Sequence, residues 1–104
     1  MKEVSVTELQ QMRDNHEPHQ LIDVREPYEF DIANLGGELI PLAQVPDNLD
    51  KISRDQKVIV HCRSGARSGR IVQYLEQQGY TEVYNLKGGI LAWSAEIDPS
   101  VPQY

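Results

Sequence analysis

Two periodicities alternate along this chain. Short, mainly apolar blocks (Leu21-Ile22, Val58-Ile59-Val60, Val83 to Leu86) are separated by segments whose apolar positions recur every three or four residues. The blocks are too brief for helices and too apolar for half-exposed strands, so they predict buried strands of a parallel sheet; the wider period predicts amphipathic helices. Strands are expected at Leu21–Val24, Leu39–Leu42, Val58–Val60 and Val83–Leu86. The first helix is expected from about Val6 to Asn15, with Leu9 and Met12 on one face. Its start is marked by a capping box, Ser5 with Glu8, and by Val4 and Leu9 at the staple positions. His16-Glu17-Pro18-His19 ends it.

Pro27 opens a short helix through Phe30 and Ile32, Gly36-Gly37 turns the chain, and Pro46 to Ile52 reads as another short helix. A longer helix carries Ile71, Val72 and Leu75 and stops at Gly79; Gly88 to Ala95 forms the last one. Strand and helix in alternation, joined by short connections, predict an α/β domain: a mostly parallel sheet, right-handed crossovers and helices on both faces. Residues 1–104 read as one domain, with 97–104 as a tail that lies extended on the surface or frays.

Composition narrows the partners. The net charge of -6 argues against nucleic acid, which wants a basic face. No apolar run reaches the length of a membrane span, and no secretory signal is visible at Met1-Lys2-Glu3-Val4-Ser5. A single cysteine makes no internal disulfide, and His16, His19 and His61 show no metal-ligand spacing, so neither a metal nor a cofactor is expected. A reducing, cytoplasmic setting fits that cysteine usage.

The charge is uneven, however. Between Val58 and Leu75 there are three arginines, Arg63, Arg67 and Arg70, and no acid. An acidic body with a local basic pocket suits a small anionic substrate. Arg70 reads more simply as part of a solvated helix face.

The one cysteine, Cys62, falls where the Val58–Val60 strand meets the next helix, at the carboxyl edge where open parallel sheets bind ligands. The residues after it, Arg63-Ser64-Gly65-Ala66-Arg67-Ser68, are poor core material. Ser64, Gly65 and Ala66 are small enough to bring their N–H groups close to a bound atom, and such a nest at a helix start favours thiolate over thiol. A two-unit fall in the thiol pKa, about 2.7 kcal/mol, takes the thiolate from roughly three per cent to about three quarters at pH 7. His61 adjoins Cys62, so strand alternation sends its side chain to the other face, where it is structural or supports the loop from behind. With no general base in the loop, the nucleophile relies on its lowered pKa. With no second cysteine, whatever Cys62 accepts leaves by attack from another molecule.

These residues resemble a known family. Cys62 to Arg67 is similar to the six-residue active-site loop of rhodanese-like sulfurtransferases. Asp23-Val24-Arg25-Glu26-Pro27-Tyr28-Glu29-Phe30 resembles the family's upstream signature, and Leu86-Lys87-Gly88-Gly89-Ile90-Leu91-Ala92-Trp93 its glycine-pair and tryptophan segment. Ile32 to Leu42 and the ending Glu96 to Tyr104 further resemble the rhodanese domain attached to E1-like adenylyltransferases of the molybdopterin- and thiamine-synthesis type. Leu35-Gly36-Gly37-Glu38-Leu39 departs from the Gly-His-Ile-Pro-Gly-Ala-like stretch of commoner rhodaneses.

The resemblance implies a small α/β fold on a central, mainly parallel five-stranded sheet. It implies that Cys62 takes a sulfane sulfur from a donor such as thiosulfate and passes it, as a persulfide, to a thiophilic acceptor. The N–H groups of Arg63 to Ser68 would cradle that sulfur, and Arg63 and Arg67 would orient the anionic donor. Asp23 and Arg25 read as a supporting ion pair, Trp93 as core, and Glu29 and Phe30 as support. The implied partners are a small anionic donor and, among proteins, a ubiquitin-like sulfur carrier, an E1-like enzyme, a cysteine desulfurase or thioredoxin.

Two other functions share such a fold. A cysteine phosphatase or arsenate reductase needs Cys, five residues and Arg, whereas Cys62 and Arg67 enclose four. A non-catalytic interaction module has no need of the intact loop.

Overall fold

The computed structural model describes residues 1–104. Five parallel strands form one sheet: β1 (Glu3–Val4), β2 (His19–Asp23), β3 (Glu38–Leu39), β4 (Lys57–His61) and β5 (Val83–Leu86), in the order β1-β5-β4-β2-β3. Four α-helices cover it: α1 (Val6–Asp14), α2 (Pro27–Ile32), α3 (Ala66–Gln77) and α4 (Gly89–Glu96). A 3₁₀ segment, Leu42–Lys51, is broken at Asn48, where φ is -129°. The fold is the expected α/β sheet of five parallel strands.

Strand β4 is central, paired with β2 on one side and β5 on the other. Its alternation divides the core. Val58, Val60 and Cys62 face one apolar cluster with Ile71, Val72 and Leu75 of α3; Ile59 faces the other with Leu9, Leu86 and Trp93 under α1 and α4. Val58, Ile59 and Val60 are fully buried, each contributing about 1.5–3 kcal/mol relative to exposure. The strand is apolar on both sides because helices cover both sides.

The chain start follows its sequence closely. Ser5 Oγ accepts from the Glu8 N–H at 3.0 Å, and Glu8 Oε1 accepts from the Ser5 N–H at 2.9 Å, as the capping box requires. Other boundaries differ. The sequence pattern does not predict strand β1: two residues carry no periodicity, and Glu3–Val4 becomes a strand only because β5 offers a parallel edge. The third strand is shorter than expected. Ile40 and Leu42 still donate to the carbonyls of Asp23 and Val24, at 2.9 and 3.1 Å, but Pro41 cannot donate and the 3₁₀ segment starts at Leu42.

Register aligns the carboxyl edge. Asp23 of β2 sits opposite His61 of β4, and Asn85 of β5 opposite Val60. The loop from Cys62 to Gly65 leaves this edge and enters α3.

The cysteine loop as candidate active site

Cys62 directly follows the last residue of β4, and Gly65 caps α3 with φ at 113°, a left-handed conformation open to glycine without steric cost. The turn brings main-chain donors back over the sulfur. Gly65 N–H lies 3.1 Å from Cys62 Sγ, and Ser68 Oγ 3.3 Å from it. Cys62 is 1 % exposed. That burial pushes its thiol pKa up, but the Ser68 hydroxyl and the N–H groups of Ser68, Gly65 and Ser64 outweigh it, and the net direction is down.

The loop is also held from its outer side. The first N–H groups of α4 have no partners within their own helix. Ile90 N–H donates to the Cys62 carbonyl and Leu91 N–H to the Arg63 carbonyl, both at 3.1 Å. With these carbonyls turned toward α4, the loop N–H groups turn toward the sulfur. The approach is so close that a Cβ on Gly89 would lie 2.4 Å from the Arg63 oxygen.

The two arginines inside the loop have different surroundings. Arg67 reaches Glu29 with both terminal nitrogens, Nη1 to Oε2 and Nη2 to Oε1, each at 2.8 Å. The Arg67 guanidinium lowers the Glu29 pKa to about 2 against the opposing pull of burial. Arg63 is exposed, and no Asp or Glu side chain pairs with it. It donates to the Tyr104 main-chain oxygen and lies 5.1 Å from the Tyr104 ring centre. Ser64 and Ala66 are exposed on the loop, Ser68 is fully buried beneath it, and Arg70 is exposed on α3.

Asp23 and Arg25 form a buried pair at the end of β2, with Nη2 to Oδ2 at 2.7 Å and Nε to Oδ1 at 2.9 Å. The remaining guanidinium donors go to the carbonyls of Glu29 and Ala33 and to the Tyr104 hydroxyl at 2.8 Å. Tyr104 in turn donates to Glu29 Oε1 at 2.9 Å. Thus the Asp23–Arg25 pair meets the cysteine loop through Tyr104, Glu29 and Arg67. His61, on the opposite face of β4 from Cys62, is fully buried, with Nδ1 3.3 Å from the Cys62 carbonyl and Nε2 3.6 Å from Asp23 Oδ2. Burial lowers its pKa against the pull of Asp23.

Three residues of this region are missed or undervalued by the sequence reading. Glu29 reads there as support only. Asn85, not singled out, is buried, with Nδ2 donating to the Gly65 carbonyl at 3.1 Å; its signal is an amide at a core-facing position of an apolar strand. Tyr104 falls in the segment expected to lie extended on the surface or to fray; it is half-buried against the body of the domain. Ser94 Oγ donates to the Val101 carbonyl at 2.6 Å, and Val101 and Tyr104 pack on the second core cluster. Nothing in the tail's own periodicity shows this, because the contacts that fix it lie far away in sequence. No group of three or more potential metal ligands occurs, and no helix is long and apolar enough to cross a membrane.

Comparison with known proteins places this geometry. A family profile described as the rhodanese-like domain matches residues 5–96. The chain is 38% identical over 102 residues to a sulfurtransferase of Allochromatium vinosum, covering 97% of this chain and 95% of that one. It is 41% identical to the Arabidopsis thaliana rhodanese-like/PpiC domain-containing protein 12, chloroplastic, over all of this chain but only 38% of that protein. The probable adenylyltransferase/sulfurtransferase MoeZ of Mycobacterium tuberculosis is 32% identical, covering 97% of this chain and 26% of that protein. Among solved structures, the rhodanese-like domain protein of Staphylococcus aureus superposes with a TM-score of 0.83 at 33% identity, over 89% of this chain and 91% of that one. With the profile spanning strand, cysteine loop and glycine pair alike, the chain belongs to the rhodanese-like domain family, and it has relatives named as a sulfurtransferase and as a probable adenylyltransferase/sulfurtransferase.

Proposed function

We propose that this domain is a sulfurtransferase in which Cys62 carries sulfane sulfur as a persulfide. One observation carries the reading: main-chain N–H groups and the Ser68 hydroxyl converge on a single buried sulfur at the head of α3. Such donors stabilise an anionic sulfur where water cannot.

In the first step the Cys62 thiolate attacks the outer sulfur of a donor such as thiosulfate. A Cys62–sulfur bond forms, the donor's S–S bond breaks, and sulfite departs with the bonding pair. In the second step a nucleophilic acceptor attacks the outer sulfur of the persulfide and releases the Cys62 thiolate. Neither step needs a cofactor or a net oxidant. Arg63 steers the anionic donor, since its charge meets no acidic side chain. Arg67, held by Glu29, fixes the loop. That placement also disfavours phosphate chemistry, which needs an arginine free to clasp the phosphate. Similarity to MoeZ supports an acceptor of the sulfur-carrier or E1-like kind, with thioredoxin and a cysteine desulfurase as other exchange partners in a reducing cytoplasm.

The test is intact-mass measurement after incubation with thiosulfate, with and without a thiol acceptor. One added sulfur atom on the wild type, removed by the acceptor and absent from Cys62→Ser, is the expected result. No adduct on the wild type, or an equal adduct on Cys62→Ser, rejects the proposal. A Cys62→Ser variant that fully replaces the wild type in cells would favour a non-catalytic module instead.

A further inference from the structure

Beneath the loop, one hydroxyl hydrogen faces three acceptors. Ser68 Oγ is 2.5 Å from Asn85 Oδ1, 3.3 Å from Cys62 Sγ and 3.3 Å from the Gly65 carbonyl. A hydroxyl donates only once. The shortest of these separations requires a hydrogen between the two oxygens, so in this arrangement it lies on Asn85. The amide cannot turn over without loss. Its Nδ2 donates to the Gly65 carbonyl at 3.1 Å, and a flip would set two carbonyl oxygens face to face. Ser68 and Asn85 are both buried, at 0 % and 3 % exposure, so water cannot replace a lost partner.

We propose that Ser68 and Asn85 form a two-position hydrogen-bond switch that follows the charge on the Cys62 sulfur, with Asn85 as a positioning residue acting through Ser68. With the thiol present, S–H donates to Ser68 Oγ, and the Ser68 hydrogen rests on Asn85 Oδ1. When the thiol ionises, its proton leaves to solvent. Ser68 then rotates its own O–H onto Sγ, no O–H bond breaks, and Asn85 Oδ1 loses its donor. Asn85 therefore opposes ionisation of the empty cysteine by competing for the one hydrogen. Resting on the proposed function, a loaded cysteine behaves differently: the negative charge sits on the outer sulfur, Sγ is neutral, and the Ser68 hydrogen returns to Asn85. The pair thus distinguishes an ionised empty cysteine from a loaded one.

The test needs no sulfur transfer, so its failure and the failure of the proposed function are separable. Because Cys62 is the chain's only cysteine, the pH dependence of its alkylation by iodoacetamide reports its pKa alone. Four proteins are compared: wild type, Ser68→Ala, Asn85→Ala and the double variant. Asn85→Ala also removes the clamp on Gly65, but that effect persists when the Ser68 hydroxyl is absent. The switch effect does not, so the double-mutant cycle isolates it. Ser68→Ala raises the pKa. Asn85→Ala shifts the pKa lower when Ser68 is present than when it is made in the Ser68→Ala variant, by an amount equal to about tenfold in alkylation rate below the midpoint. Equal shifts in both backgrounds overturn the proposal. The wild type supplies a second reading that survives a misfolded variant. The Asn85 side-chain carbonyl ¹³C resonance should titrate with the Cys62 midpoint, and a flat response overturns the switch.

Discussion

Glu29 and Arg67 set one residue-scale property of this domain. The carboxylate is 3 % exposed and meets the guanidinium with both oxygens, and its pKa falls to about 2 from an ordinary 4.5. A depressed folded-state pKa contributes stability that is present above the unfolded value and lost as pH falls through the folded one. The pair therefore stabilises the fold fully above about pH 5 and fades toward pH 2. Glu29→Gln is expected to cost about 1–3 kcal/mol at pH 7, below the figure for a fully buried pair because Arg67 is a third exposed. Urea midpoints measured from pH 7 to 2 should converge for wild type and variant as the acid limit is approached. A constant gap across that range would place the stabilisation elsewhere. Part of this site was legible in the sequence: Cys62 and the small residues after it declare a nest through their chemistry alone. The geometry of Glu29 was not, because a bidentate pair between residues 29 and 67 depends on α2 and α3 meeting beyond the same sheet edge.

At the scale of elements, the loop is a joint between three pieces: the end of β4, the start of α3 and the start of α4. Periodicity identifies all three, and it places the glycine pair at the start of α4. What it leaves out is their contact. Gly89 adopts φ of 60°, and a Cβ there would meet the Arg63 oxygen at 2.4 Å and the Cys62 oxygen at 2.7 Å. Gly89→Ala must therefore push the loop away from α4 and lose the bonds from Ile90 and Leu91. The left-handed conformation alone costs a non-glycine residue about 1–3 kcal/mol. The expected outcome is a lower melting temperature together with an upward shift of the Cys62 alkylation midpoint, since the N–H groups would no longer converge on the sulfur. A variant that melts earlier but keeps the wild-type alkylation profile would show that α4 supports the fold and not the cradle. The same contrast explains the elements that periodicity misses. Strand β1 exists through pairing with β5, and pairing across the chain leaves no local period to read; β3 was expected at Leu39–Leu42, and its pairing with β2 sets its bounds at Glu38–Leu39 instead.

At the scale of the whole molecule, one chain of polar contacts runs from beneath the sheet edge to its surface: His61 beside Asp23, then Arg25, Tyr104, Glu29 and Arg67. Tyr104 joins Arg25 to Glu29 in it, and it comes from the segment whose prolines and lack of periodicity pointed to an extended course on the surface or to fraying. Arg25 is fully buried, so a donor it loses cannot simply turn to water. Tyr104→Phe keeps the ring against Arg63 and Arg25, at 5.1 and 5.6 Å, and removes only the hydroxyl. It leaves one Arg25 nitrogen with the Glu29 carbonyl alone at 3.3 Å, and Glu29 with one donor fewer. The cost of such a loss is about 1–3 kcal/mol, or about 5–15 °C in melting temperature for a domain of this size. Tyr104→Ala removes the packing as well and is expected to melt lower still. The two variants should also separate in amide exchange. Val101 N–H donates to the Asp98 carbonyl at 3.1 Å, and its own carbonyl accepts from Ser94. Its protection should survive in the phenylalanine variant, where the ring still anchors the tail, and drop in the alanine one. If the tail instead lay free in solution, both variants would melt with the wild type and Val101 would exchange at the same rate in all three. The hydroxyl would then have no part in holding Glu29 against Arg67.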